Sequence, residues 1–497
     1  MPRTLELAGR EPITISSALT SENNIIKLAS YTIANDKFYQ ELWAQRKSIE
    51  AIIRHHLALG AEDIVAVLPS KRWIRGGFNV CIPVAVKTRA AMKSGKPPTI
   101  VIFRCPMPYK LAEARYPGSI DEKLSGEVGA YIWIEENCPE IRSPHLFGFG
   151  MTDGRHVSPP SWARRAPAKT YHPPSERFYP AYMILENLGP ETGQMLSNTF
   201  SKCREDKERR QRLFRGMSRV MISLARIPQA QIGSFQFNHD GTVTLSGRPL
   251  TCGVMILENN GAPRTMARNE TIRCTDAFVS EMLDFHDQRF LREPNAALNE
   301  SDCYTQMAVK TLLRVFSHNH IKKELRNGPF LIQHTDFHAS NILVDEDWNI
   351  TGLIDLEWMC ALPAEMLAVP YWLTGCSVDG IRGDEYDRFD EVRREFLHIL
   401  EEEEEQVTKA KAGHNINLSQ IMHEMWDSKG VWFYECLLSV NAMYLLLDFH
   451  LVPPKGLTDE VEKILSRFWC GNSEDVVQMK LADKKAYDEE LRQLFHE

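Results

Sequence analysis

The stretch Gln333–Trp358, QHTDFHASNILVDEDWNITGLIDLEW, limits what this chain can fold into more than any other part of it. It opens with His334-x-Asp336, reaches Asn341 after four intervening residues, and closes a hydrophobic run at Asp355. Ile342, Leu343 and Val344, then the polar turn Asp345–Asn349, then Ile350, Leu353 and Ile354 predict two short strands joined tightly. A hairpin of that length returns Asp355 to the side of Asn341 and Asp336. Asp345 and Asp347 read as turn formers, because short acidic side chains bond their own backbone.

Three such groups at this spacing point to phosphoryl transfer. That reaction asks for a carboxylate to take or orient the acceptor's proton, and for oxygen ligands that hold magnesium against nucleotide phosphates. Asp336 suits the first role, Asn341 and Asp355 the second.

The rest of the composition excludes several alternatives. Of 497 residues, 43% are hydrophobic and 25% charged, an ordinary globular balance with enough chain for two or three cores. Lys and Arg number 58 against 66 Asp and Glu, a net charge of −8 that disfavours nucleic acid as a partner. No apolar run approaches the ~18 residues of a membrane span, and the start MPRTLELAGREPITISS lacks a signal-peptide core, so neither a membrane partner nor export is expected. The 11 cysteines include no C-x-x-C pair, which predicts reduced, mostly buried thiols and a cytosolic protein. His55-His56 has no partner at zinc-ligand spacing.

Along the chain, residues 1–35 are polar and weakly periodic. Asp36 can cap a helix that carries Phe38, Leu42, Ile49, Ile53 and Leu57 at helical spacing and ends at Gly60. From Asp63 the period turns strand-like: IVAVLP, FNVCIPVAV and TIVIFRCP, with SKRWIRGG between the first two and KSGKPP between the second and third. Gly76-Gly77 fits either a glycine loop over phosphates or a plain hairpin turn. DEKLSGEVGAYIWIEENCP from Asp121 predicts an amphipathic helix, LFGFGM a strand, and the Pro-, Ser- and Arg-rich stretch 152–178 a flap or an insert. YPAYMILENLG predicts a further strand, Asn238–Gly241 a hairpin turn, and most of the remainder helices. Glu401–Glu405 reads as the solvated face of a helix.

The motif run resembles the aminoglycoside phosphotransferase and choline kinase family, in particular its large fungal members. Phe337 and His338 keep the family's D-x-H element, and Glu357 and Trp358 follow Asp355, although Leu356 stands where an aromatic is commoner. The resemblance implies an α/β (α+β), bilobal, protein-kinase-like fold. Its parts are an N-terminal helical extension (1–60), a small β-rich nucleotide-binding N-lobe (61–188), and a larger helical C-lobe for catalysis and acceptor binding (189–497).

It further implies an ATP- and magnesium-dependent phosphotransferase acting on a small-molecule hydroxyl or amine, with Asp336 as catalytic base and Asn341 and Asp355 as magnesium ligands. Arg104 takes the place where kinases usually carry a phosphate-binding lysine, with Glu127 as its partner. Gly76 and Gly77 form the glycine loop, and the backbone around Glu186 and Leu188 the adenine-binding hinge. His334 and His338 hold the catalytic loop by hydrogen bonds, or His338 touches the phosphate; Glu357 and Trp358 contact the acceptor or support the site.

A protein kinase is disfavoured by His334-Thr335-Asp336 in place of H-R-D, by Asp355-Leu356-Glu357 in place of D-F-G, and by the lack of an A-P-E-type element. The alternative is a pseudokinase-like nucleotide-binding scaffold. Only Arg104 and the irregular glycine loop favour it, since Asp336, Asn341 and Asp355 are all present.

Overall fold

The computed structural model describes residues 4–158, 169–171, 180–410, 416–453 and 456–495. It is a mixed α/β molecule in which a strand-rich segment precedes a mainly helical one. After a small hairpin, β1 (Thr4–Leu5) and β2 (Ile13–Thr14), come β3 (Ile64–Val67), β4 (Ile74–Arg75), β5 (Asn79–Lys87), β6 (Thr99–Pro106), β7 (Leu146–Gly150), β8 (His156–Ser158), β9 (Lys169–Tyr171) and β10 (Tyr182–Glu186). The last eight form one sheet in the order β3-β5-β6-β10-β7-β8-β9, with β4 turned back on β5. Of the stretch 152–178, β8 and β9 extend this sheet at its edge, while residues 159–168 and 172–178 lie outside the described residues.

The two-residue period of a strand gives this sheet two working faces. Val80, Ile82 and Val84 of β5, Val101, Phe103 and Cys105 of β6, and Tyr182 and Ile184 of β10 share one core with Phe38, Leu42, Ile49 and Ile53. Met183 and Leu185 point the other way, into the main core around the helix Ser119–Asn137. Asn79, Cys81 and Arg104 are out of phase with the first set and so lie on that second face. The helix crosses strand β12 (introduced below) closely: a Cβ at Gly129 would stand 2.7 Å from Phe235 Cβ, which is why a glycine sits there.

Beyond residue 190 follow β11 (Gln194–Met195), β12 (Gly233–Phe237), β13 (Val243–Gly247), β14 (Phe330–His334), β15 (Ile342–Val344), β16 (Ile350–Leu353) and β17 (Met359–Pro363). They form two sheets, β11-β15-β16 and β13-β12-β17-β14, embedded among helices. The hairpin expected after Asn341 is present, with Ile342 opposite Leu353, and Asp345 closes its turn by accepting the N–H groups of Asp347 (3.0 Å) and Asn349 (2.9 Å). The Asn238–Gly241 turn joins β12 to β13 as expected. All 11 cysteines are free thiols, five buried and six half-buried. Among the described residues no helix is long and apolar enough to cross a membrane.

Two readings need correction. The N-terminal helix starts at Ile25, not after Asp36: Asn24 is its cap, its side chain accepting the Lys27 N–H at 3.0 Å, and the chain breaks at Gln45 into Ile25–Ala44 and Arg46–His56. The early turns escape a periodicity search because they bury only Ile25 and Tyr31, against other parts of the chain. Glu401–Glu405 is not a freely solvated face either. Glu402 pairs with Arg215 (3.0 Å), Glu403 with Arg219 (2.7 Å) and Glu401 with His423 (3.0 Å), so the run seams neighbouring helices together.

The N-terminal extension grips the molecule at two places. Its second part packs on the sheet, whereas Leu7, Ala18 and Ile25 share a small core with Tyr487, Leu491 and Phe495 of the C-terminal helix Ser473–Leu494 and the residue after it. Leu491→Ala would open a cavity there at a cost of about 2–5 kcal/mol to that cluster. We expect a lower denaturant midpoint and faster protease cleavage within residues 5–28; unchanged cleavage would refute the docking.

Candidate active site

Between β14 and β15 the chain makes the loop Thr335–Asn341. It is fixed to the strand end opposite by Thr335, whose N–H (3.1 Å) and Oγ1 (2.7 Å) both donate to the Trp358 carbonyl. Asn341 is buried, and its Nδ2 donates to the Asp336 carbonyl (3.0 Å) and to Asp336 Oδ2 (3.2 Å). His334 is buried as well, its Nδ1 accepting the Asp336 N–H at 3.4 Å, and burial pulls its pKa down to about 4, so the ring is neutral. These contacts fit the expected role of His334 in holding the loop. His338 Nε2 lies 3.3 Å from Asp336 Oδ1, and that hydrogen bond raises the His338 pKa above the usual 6.5.

Asp355 follows β16 with φ of 63°, a left-handed backbone that aspartate tolerates better than most residues. This turn carries the carboxylate out of the strand direction and toward the sheet. There Arg104 meets it: Nη2 contacts Asp355 Oδ1 and lies 3.2 Å from Glu357 Oε2, while Nε lies 3.1 Å from Glu127 Oε1. The expected Arg104–Glu127 pair is therefore formed, and Arg104 also reaches Asp355 itself.

Lys123 and Asn79 complete the cluster, and neither was among the expected site residues. Lys123 Nζ donates to Glu127 Oε2 (2.6 Å) and Asn79 Oδ1 (2.8 Å) and contacts Glu357 Oε2. Asn79 Nδ2 donates to Glu357 Oε2 at 2.7 Å. The signals were faint but present. Lys123 and Glu127 are four apart on one helix face, and Asn79 is polar and in phase with Cys81 in an otherwise apolar strand.

Three carboxylates, Glu127, Asp355 and Glu357, thus face two cations, Arg104 and Lys123. Their oxygens lie within 4.8 Å of one another. Burial pushes Glu357 up, but Lys123 and Arg104 overcome it and hold the group at about 2. Asp355 goes the other way: burial, with Glu357 and Glu127 adding to it against Arg104, lifts it to about 7. Asp355, whose side chain is 25% exposed and reaches solvent on one side, is therefore the member of the cluster that most readily takes up a proton.

The remaining expected residues surround this centre. Gly76 and Gly77 are exposed at a short hairpin tip, where the Gly76 N–H donates to the Asn79 carbonyl at 2.9 Å. They make a tight turn, which is docked on the site because Phe78 packs edge-on against Trp358 at 4.9 Å. Glu186 is committed to Arg142 Nη2 (2.5 Å) and the His145 N–H (3.1 Å). Leu188 lies against Gly352 of β16, 3.4 Å from where a Cβ would stand, so this segment borders the Asn341–Asp355 hairpin.

On the far side of the loop, a cavity of about 190 Å³ opens on Asp336 and His338 and is walled by Met366, Tyr371, Leu438 and Glu435. Burial alone lifts Glu435 to about 7. It too went unpredicted, although a single acid inside VWFYECLL is conspicuous.

With the geometry in place, the comparison with known families can be read onto it. Residues 200–366 match the model of the phosphotransferase enzyme family. The matched region contains Asp336, Asn341 and Asp355; Arg104, Lys123 and Glu127 lie outside it. The match agrees with the resemblance seen in the sequence. Among curated proteins, none matches the chain.

Two outcomes test this site. Lys123→Met would leave Glu127 and Glu357 buried with Arg104 as their one cation, and breaking a buried pair from one side costs about 3–5 kcal/mol; chemical denaturation measures it, and a neutral result would show that the cluster is not cohesive. The His338 pKa, followed by NMR titration, should lie above 6.5 and return toward it in Asp336→Asn. The stabilisation from this pair is complete below pH 6.5 and fades as the pH rises through the raised value. A His338 pKa indifferent to the substitution would break the assignment.

Proposed function

We propose that the protein is an ATP- and magnesium-dependent kinase that phosphorylates a hydroxyl or amine of a small molecule. The observation that carries this reading is a chain of contacts: Asn341 bonds Asp336, the Asn341 carbonyl accepts the N–H of Ile354 just before Asp355, and Asp355 meets Arg104, which pairs with Glu127. In this reading the chain divides as expected from the sequence, an N-terminal extension (1–60), an N-lobe (61–188) and a C-lobe (189–497), with the nucleotide between the two lobes and its adenine edge at Glu186–Leu188.

The residues present fit magnesium. Hard oxygen donors suit it, and carboxylates outnumber cations in the cluster by one. Asn341 turns its Nδ2 to Asp336, which leaves its Oδ1, with the partly exposed Asp355, to hold the ion. Magnesium bound there supplies charge neutralisation at the nucleotide phosphates.

Asp336 accepts or orients the acceptor's proton, kept in place by Asn341 and His338. Arg104 offers a cationic fork to phosphate oxygens once its hold on Asp355 is exchanged. The cavity beyond Asp336 receives the acceptor, and its walls suit a compact, largely apolar molecule with one basic group placed near Glu435.

The scaffold reading is favoured by one observation: Arg104 already occupies a carboxylate oxygen of Asp355. Two substitutions separate the readings. Asp336→Asn should lower kcat on the order of 10²–10⁴-fold while ATP affinity stays nearly unchanged. Asp355→Ala should abolish turnover and weaken magnesium-dependent ATP binding, measured by calorimetry. The acceptor is found by mass gain of one phosphoryl group in a metabolite extract incubated with ATP and protein. If the wild type neither phosphorylates an acceptor nor hydrolyses ATP, and ATP binding ignores magnesium, the scaffold reading replaces this one.

A further inference from the structure

Four lysines are buried among the described residues: Lys123, Lys310, Lys480 and Lys484. Three of them hold a carboxylate, Lys123 with Glu127 (2.6 Å), Lys480 with Asp483 (2.9 Å) and Lys484 with Asp488 (2.5 Å). Lys310, only 4% exposed on the helix Glu300–His320, makes no ion pair among the described residues. Its Nζ donates to the Gln306 carbonyl (3.1 Å) and Gln306 Oε1 (3.4 Å) and stands 4.7 Å from the centre of the Phe290 ring. Burial pulls this amine down to about 7.

The nearby acids are engaged elsewhere. Asp287 takes Arg314 (2.6 Å) and the Trp469 Nε1–H (2.8 Å), Glu293 pairs with Arg289 (2.9 Å), and Asp302 accepts the Leu298 N–H (2.8 Å). A buried ammonium is ordinarily compensated by a counter-charge. Here no described carboxylate pairs with it directly, although Asp287 and Asp302 favour its charge from a distance, and there is space for a direct partner, because Lys310 lines a cavity of about 370 Å³ together with Arg289, Phe290, Asp302, Met443 and Tyr444. Glu22, also on its lining, is solvent-exposed. The cavity shares no lining residue with the one at Asp336. The end of the helix Gly430–Leu438 stands between them, with Leu438 facing the acceptor cavity and Val440 this one.

We propose that this cavity is a second ligand site, separate from the nucleotide and acceptor sites, for a small molecule that presents a carboxylate or phosphate group to the Lys310 ammonium. The anion would supply the counter-charge that the other buried lysines receive from an aspartate or glutamate, and the Phe290 and Tyr444 rings would cover the apolar remainder.

Calorimetry on the full chain with succinate and with inorganic phosphate, at constant ionic strength set by potassium chloride, tests it. At least one of the two should bind saturably, and Lys310→Met should weaken that binding at least tenfold, while Lys310→Arg, which keeps the charge, retains most of it. Phosphate held in the catalytic cleft is recognised because Lys310→Met leaves it unaffected. A wild type that binds neither anion, or a Lys310→Met variant that binds both as tightly as wild type, overturns the proposal. Should the methionine variant fail to fold, reductive methylation of Lys310 in the wild type, followed by peptide mass spectrometry, gives the same decision: a saturating anion should protect the amine, and equal labelling with and without it overturns the assignment.

Discussion

Everything around the candidate active site depends on one buried exchange of charge. Arg104 from a strand and Lys123 from a helix meet Glu127 from the same helix and Asp355 and Glu357 from a turn more than two hundred residues later. Ions taken out of water are tolerated only with partners in good geometry, so no member of this set can be placed without the others. The consequence is structural before it is chemical. The sheet, the helix Ser119–Asn137 and the turn after β16 are fixed relative to one another by charges that cannot afford to separate.

The same arrangement makes Asp355 different from its neighbours. Glu127 and Glu357 lie under two cations each, whereas Asp355 has Arg104 alone and an edge open to solvent. A cation approaching from the cleft competes with a single guanidinium for one carboxylate, while the rest of the cluster stays closed. In the proposed kinase, Arg104 would then be free to turn toward phosphate oxygens, for which its planar donors are well shaped. Exchange at one carboxylate is a small movement, compatible with the packed surroundings.

Much of this was legible in the sequence, and the pattern of what was not is instructive. The hairpin from Asn341 to Asp355 and the strands from Ile64 to Glu186 follow from local spacing, two-residue alternation and turn chemistry, whereas the Arg104–Glu127 pair was implied by the family resemblance. Asn79 and Glu435 escaped because each is a single polar residue in an apolar stretch, and Lys123 because it sits among the ordinary charges of a helix start; the meaning of all three depends on what lies opposite in space. The true start of the first long helix escaped for a related reason: Ile25 and Tyr31 are buried by distant segments, so their stretch shows little periodicity of its own. The acids at 401–405 were misjudged because their arginine partners lie on another helix, nearly two hundred residues earlier. Local rules read local causes, and charge partnership across the fold is not one of them.

The small core joining the two ends of the described chain bears on how the protein is made. The Ile25 N–H donates to the Tyr487 hydroxyl, a contact spanning 462 residues. During synthesis, the segment around Leu7, Ala18 and Ile25 precedes its packing partners on the helix Ser473–Leu494 and meets them only once they have left the ribosome. Through that interval those apolar side chains lack part of their native cover. Domains generally fold as units while the chain elongates, and here the closing step belongs to the last helix. Residues Leu7, Ala18 and Ile25 are thus made early and locked late, and access to them reports whether the helix Ser473–Leu494 has docked.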